Sequence, residues 1–165
     1  MSATRLVAHT VLVRQLGTFA LAFTLGACAT AAATSVAAVD EPAPADTTAF
    51  VRTTEASEHR VAPNGTAEVA LLARGRQAFV GLLRMNGGGV VPTHRDPTEE
   101  FIYVLEGTGT ITIDGAEHAL QAGSIVYMPA HAEVSYANGP DPLVAVQVFA
   151  DPDPADKYDA WSARP

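Results

Sequence analysis

From Val61 to Ala150 apolar and polar residues alternate with a period of two, and the alternation is broken at short intervals. It predicts strands over Glu68–Ala73, Ala78–Met85, Glu100–Leu105, Gly109–Ile113, His118–Leu120, Ser124–Met128, Glu133–Ala137 and Val144–Phe149. The breaks fall at Gly75, Gly87-Gly88-Gly89, Gly107, Asp114-Gly115, Gly123, Pro129 and Asn138-Gly139-Pro140. Asp114-Gly115 predicts a tight hairpin, because a type I′ turn requires positive φ at both central residues. No stretch of useful length carries the apolar period of a surface helix. Eight short strands with glycine-rich turns predict an all-β domain, an antiparallel sandwich or barrel. About 90 residues bury one modest core, and a small barrel leaves a central cavity for one small ligand.

The pattern stops at both ends. Residues 29–49 are almost entirely Ala, Thr, Ser, Val, Pro, Asp and Glu, which predicts a flexible tether. Asp151-Pro152-Asp153-Pro154 is expected to end the fold on the other side, with Lys157 to Trp161 packing back through Tyr158 and Trp161. At the start, Arg5 and Arg14 precede an apolar run, Leu16 to Ala27, that ends in Leu25-Gly26-Ala27-Cys28. A positive beginning, a short apolar middle and small residues at the end describe a secretory signal. About 12 residues of helix span roughly 18 Å, short of the ~30 Å hydrocarbon core, which disfavours a permanent transmembrane helix. The end of the run resembles the lipobox of bacterial lipoproteins. That resemblance implies that Cys28 becomes the lipidated first residue of the mature chain. It also implies, since Ala29 rather than aspartate follows, an outer-membrane or periplasmic address in the cell envelope. An ordinary signal cut after Ala29 and an uncleaved anchor are the alternatives. The expected organisation is a signal over 1–27, a tether over 28–59, a β-barrel domain over 60–150 and a C-terminal tail over 151–165.

Composition narrows the function. The 165 residues suit one domain, and 48% hydrophobic against 17% charged residues excludes wholesale disorder. Ten basic residues stand against 18 acidic ones, for a net charge of −8. Removing residues 1–27 takes Arg5 and Arg14 and no acid, leaving eight bases against 18 acids, or −10. Phosphate backbones require a basic patch, and the longest cationic cluster is Arg74 and Arg76, so a nucleic-acid partner is excluded. Membrane contact is expected through the lipid anchor only. One cysteine excludes a disulfide framework and a four-cysteine zinc site. Gly87-Gly88-Gly89 lacks the lysine and helix of a phosphate loop, and no serine sits in a nucleophile elbow.

The chemistry concentrates between Gly88 and Gly107. His94 and Asp96 are two apart, so on an extended strand they share a face. Glu100 opens the next predicted strand, and Ile102 and Val104 share its face. A tight turn at Pro97-Thr98 would bring the three polar groups to one interior point. An imidazole and two carboxylates on a buried face are costly unless they bind a metal, a proton or a polar ligand. Arg95 and Glu99 are expected in solvent, as is His118. Phe101, Tyr103 and Tyr127 read as packing residues. Gln147, amid Val146 and Val148, fits a cavity wall and a solvent face equally well.

This run resembles the first motif of the cupin superfamily: glycine, five residues, His-x-His, three or four residues, glutamate, six residues, glycine. Gly88, His94, Asp96, Glu100 and Gly107 stand at those spacings. Gly123, Pro129 and Asn138 stand in register with the second motif. The resemblance covers roughly residues 65 to 150 and implies a single antiparallel cupin jelly-roll barrel. Family metal sites use two histidines and a glutamate from the first motif and a histidine from the second. His94 and Glu100 match; Asp96 replaces the second histidine, and Val134 stands at the last one. His131, at a glycine position of the second motif and on a turn, is a substitute if it swings in, and a solvent-facing loop histidine otherwise. Val134 is expected to line the cavity with Ile102, Val104 and Gln147. Two readings stay open. In one, His94, Asp96 and Glu100 hold a divalent ion weakly, Mn, Mg, Ca, Fe or Zn, with water completing the shell. In the other, the pocket is metal-free and Asp96 is a turn acid before Pro97. The expected function is an envelope-anchored module binding a small polar molecule in its barrel, with a degenerate metal site. The alternative is a metal-dependent cupin enzyme of dioxygenase, isomerase or decarboxylase type, its catalytic residues unassigned. A homodimer through the strands is compatible with both.

Overall fold

The computed structural model describes residues 44–164. The expected signal segment, Cys28 and the first part of the expected tether lie outside the described residues. Among the described residues, eleven strands carry the fold: β1 (Glu58–Val61), β2 (Ala67–Arg74), β3 (Phe79–Met85), β4 (Val90–His94), β5 (Glu100–Glu106), β6 (Thr108–Ile113), β7 (Ala116–Gln121), β8 (Ile125–Met128), β9 (Val134–Asn138), β10 (Leu143–Phe149) and β11 (Ser162–Ala163). They form two antiparallel sheets, one in the order β11-β1-β2-β3-β10-β5-β8 and one in the order β4-β9-β6-β7. The sheets face each other as a jelly roll.

Side-chain parity decides the faces. On β5, Glu100 and Val104 are buried and Ile102 on the same face is half-buried, while Phe101, Tyr103 and Leu105 point out. Met85, Val104, Met128 and Ala145 of the larger sheet meet Ile111, Leu120, Val134 and Tyr136 of the smaller in one core. Each large apolar side chain buried there contributes roughly 1.5–3 kcal/mol. The β6–β7 hairpin turns at Asp114 (φ 48°) and Gly115 (φ 82°), both left-handed as the Asp-Gly pair predicts.

The structure departs from the sequence reading at the margins. β1, β4 and β11 were not among the predicted strands. β4 contains Pro92, which cannot donate a ladder hydrogen bond; an edge strand tolerates it, and β4 is an edge. The described part of the expected tether is bound to the domain. Asp46 bonds Arg74 through its backbone N–H, and β1 pairs with β2. His59 bridges Glu68 Oε1 at 2.5 Å and the Thr54 carbonyl at 2.9 Å. Beyond residue 150 the segment expected to pack back through Tyr158 and Trp161 does so, as a 3-10 segment (Asp153–Ala160), and it leads into an unforeseen strand, β11, which pairs with β1. Tyr158 fixes that segment: it is 3% exposed, its ring 5.9 Å from that of Phe79 and 5.0 Å from that of Trp161. Phe101 and Tyr127, read as packing residues, pack on each other, 5.2 Å apart on the outer face. The parity that turns Glu100 inward turns Phe101 outward, and Tyr103, Leu105 and Ile125 join it there, each more than a third exposed.

Candidate functional site

His94 ends β4, Asp96 follows in the turn and Glu100 opens β5. The Asp96 carbonyl accepts the His131 N–H at 2.8 Å, which pins this turn to the β8–β9 loop. All three side chains line one cavity of about 390 Å³ between the sheets, together with Ile102, Val104, Val134 and Gln147. Much of the remaining wall is apolar, with Leu83, Met85, Ile111 and Met128 prominent.

Two polar chains meet in this cavity. In the first, Tyr158 Oη donates to Gln147 Oε1 and Gln147 Nε2 donates to Glu100 Oε1, both at 2.5 Å. Glu100 and Gln147 are both buried. Burial pushes the Glu100 carboxyl up, against the opposing pull of the Gln147 hydrogen bond and of Lys157. Burial also pushes the Tyr158 hydroxyl up, with the Glu100 and Asp96 charges adding to it, so Tyr158 stays a donor. In the second chain, Lys157 Nζ donates to Asp96 Oδ2 at 3.0 Å. His94 Nε2 lies 3.9 Å from the same oxygen, too far for a hydrogen bond. His94 Nδ1 donates to the Pro92 carbonyl at 2.9 Å. A carbonyl only accepts, so in the neutral ring the proton sits on Nδ1 and the Nε2 lone pair is free.

The other sequence candidates fall elsewhere. His131 does not enter the cavity: its side chain is exposed and its backbone is left-handed, φ 66°. It stands at a motif glycine, and the turn keeps the conformation that glycine would supply, which aims the side chain at solvent. His118 is exposed on the edge strand β7. Arg95 is paired with Glu133 at 2.9 Å in solvent, and exposed Glu99 accepts from Tyr127 Oη. Val134 pairs directly with His94 across β4 and β9, and with Ile113 on its other side. Sequence reasoning missed Lys157 and Tyr158 as cavity residues. The available signals were that Lys157 is the only lysine in the chain and that Lys157 to Trp161 was expected to pack back on the domain.

Residues 81–149 match the family described as Cupin domain. This segment is similar to that family, and the jelly roll around it agrees with the likeness. A dimethylsulfoniopropionate lyase, DddW, of Ruegeria pomeroyi is 36% identical over 75 residues, which are 46% of this chain and 49% of the lyase. The chain thus spans about half the length of that curated relative. Among solved structures, an RmlC-like cupin from Shewanella frigidimarina is similar at a TM-score of 0.60 and 19% identity, covering 67% of this chain and 96% of that one. A predicted oxalate decarboxylase from Thermotoga maritima follows at 0.57 and 19%, covering 62% and 99%. KdgF from Halomonas sp. gives 0.56 and 20%, covering 66% and 99%. At these identities the solved structures speak for the fold alone.

The family metal sites that this motif resembles hold a divalent ion, and the donor set here does not fit one. Among the described residues no three His, Cys, Asp or Glu side chains gather closely enough to hold a metal ion. An ammonium occupies Asp96, an amide occupies Glu100, and Val134 presents methyl groups beside His94. Asn138, which stands in register with the second motif, is a clamp for the surrounding loops. Its Nδ2 donates to the carbonyls of Asn86 at 2.9 Å and Asp141 at 3.1 Å, and its Oδ1 accepts from Tyr136 Oη at 2.9 Å.

Proposed function

We propose that this cupin is a binding module for a small molecule with an apolar body and one polar head, held between the two sheets. The observation that carries this reading is the segregation of the cavity wall. Tyr158, Gln147 and Glu100 form one hydrogen-bonded chain, and Lys157 and Asp96 one ion pair. Leu83, Met85, Ile102, Ile111, Met128 and Val134 offer apolar surface only. The volume falls within the roughly 300–1,000 Å³ of small-molecule sites, and a few convergent polar groups in an apolar cleft are their usual composition. Titration with butyrate and hexanoate and with the matching alcohols, followed by amide NMR, tests it. Shifts are expected at Ile102, Val104, Val134 and Gln147. Shifts confined to the outer face around Phe101 and Tyr127, or none at all, sink the proposal.

A second reading is a metal-dependent enzyme, favoured by the likeness to a dimethylsulfoniopropionate lyase and disfavoured by the donor set. Consumption of dimethylsulfoniopropionate in the presence of Mn²⁺ would favour it over the binding module. We place the protein in the cell envelope through lipid on Cys28, on the strength of Leu25-Gly26-Ala27-Cys28. One acyl chain anchors only marginally and several hold firmly. Cys28→Ser is expected to release the protein from membranes; unchanged retention with normal cleavage defeats this placement.

A further inference from the structure

The ten basic residues of the chain are nine arginines and one lysine, and that lysine lines the cavity. The Lys157 ammonium lies 3.0 Å from Asp96 Oδ2 and 4.6 Å from the centre of the Phe149 ring. Asp96 takes one of its three donors, and an aromatic face attracts the charge without supplying a lone pair. The side chain remains 38% exposed, so its other donors are open to the cavity mouth. Asp96 stands where a second metal-ligating histidine would be. A divalent ion bound there must first displace the ammonium and then tolerate it as a neighbouring positive charge. Val134 removes the donor that would offset that cost.

We infer that Lys157 is the resident cation of this pocket in place of a divalent metal ion, and that it receives an acceptor oxygen of the ligand head, a carboxylate or carbonyl oxygen. The second half rests on the binding-module reading. Lysine suits a single acceptor oxygen, because its ammonium is a compact point charge with rotatable donors, whereas an arginine fork favours two. The ammonium is fixed from below by Asp96 and the Phe149 face, so it meets an incoming oxygen with little reorganisation.

A single lysine makes the test direct, since ¹³C-lysine labelling of the full chain yields one Cε signal. Mn²⁺ alone is titrated first. The wild type is expected to bind it no tighter than about 1 mM, with the Cε signal unbroadened. Lys157→Met is expected to gain about tenfold or more in Mn²⁺ or Zn²⁺ affinity, the scale of losing or freeing one ligand-directing partner, while Lys157→Arg gains nothing. Stoichiometric micromolar Mn²⁺ binding by the wild type, or no gain in Lys157→Met, overturns the inference. If Lys157→Met fails to fold, Lys157→Gln still donates to Asp96 without the charge and serves in its place; the wild-type titration needs no variant. Butyrate and hexanoate are titrated next, against hexanol and hexylamine. The Cε signal is expected to move with the carboxylates and not with the amine. Should hexanol and hexanoate both shift the Ile102 and Val134 amides while Cε stays still, the binding module stands and the role of Lys157 falls. Should no amide shift, the binding module falls with the ligand half of the inference, and the Mn²⁺ titration alone decides whether Lys157 is the resident cation.

Discussion

The two walls of the cavity solve opposite problems. On the larger sheet, Glu100 of β5 and Gln147 of β10 are buried polar groups, and the 3-10 segment brings Tyr158 to complete their hydrogen bonding. On the smaller sheet, His94 of β4 faces Val134 of β9, and next to them come Ile113, Ile111 and Tyr136. One wall spends its burial on polar groups that satisfy one another; the other is nearly bare of donors. A metal site spanning the cavity needs both walls to contribute. Here the chemistry sits on one wall and on the segment that closes it, which is why an ammonium from outside the β-rich region takes the central electrostatic place.

The comparison breaks most visibly through Tyr158. Removing its ring with Tyr158→Ala takes away contacts to Phe79 and Trp161 and leaves Gln147 Oε1 without its donor. A loss of about 3–5 kcal/mol is expected by denaturant unfolding, the range for truncating a buried aromatic. A loss below about 1 kcal/mol, typical of surface changes, would mean that the closing segment is an ornament on the fold and the polar wall stands without it.

The next test asks whether the bare wall can be furnished. Asp96→His with Val134→His places imidazoles on both sides of His94, with Glu100 as a fourth donor. Imidazole suits Zn²⁺ and Ni²⁺ better than carboxylate does, so calorimetric affinity for these ions is expected to rise about a hundredfold over wild type, or roughly 2.7 kcal/mol. Absence of any gain would mean that positions 96 and 134 do not look at one point.

How much of this was legible in the chain follows from how local each feature is. β5, β6 and β10 were readable because strict alternation and flanking glycines specify them within a few residues, and the Asp114-Gly115 turn because its backbone demand is chemical. β1 was not, because Glu58-His59-Arg60-Val61 has little alternation and becomes a strand through its partner β2. The placement of Glu100, Ile102 and Val104 on one face came from parity. Lys157 could not come that way: it meets Asp96 across 61 residues of sequence, through a segment whose position is set by Tyr158 packing in the end cluster. Whether His131 enters the site could not be read, because spacing names a position and not a direction, and a left-handed φ sets the direction.

A finer comparison sets one hydroxyl on each wall against the other. Tyr158→Phe leaves a buried Gln147 oxygen unpaired and is expected to cost about 1–3 kcal/mol. Tyr136→Phe removes a hydroxyl that donates to Asn138 Oδ1, where the amide keeps its bonds to Asn86 and Asp141, and is expected to cost about 0.5–1.5 kcal/mol. Equal costs in chemical denaturation would erase the distinction between a satisfied polar wall and an apolar one.

The smallest expected effect is also the most specific to the polar wall. Burial raises the Glu100 pKa above the ordinary carboxylate value, so the folded state binds its proton more tightly than the unfolded chain. The contribution to stability is therefore complete below the ordinary carboxylate pKa and is lost as pH rises through the folded value. Each unit of elevation corresponds to about 1.4 kcal/mol. Glu100→Gln mimics the neutral acid and keeps an oxygen for Gln147 Nε2, so it removes the penalty without removing the hydrogen bond. Thermal melts are expected to show Glu100→Gln matching wild type near about pH 4 and exceeding it by about 2–5 °C near neutrality, with the gap opening as pH rises. A gap of constant size across that range would assign the difference to packing, and a variant less stable than wild type at neutral pH would mean that Glu100 is ionised in the fold, with Lys157 and not the proton as its counter-charge.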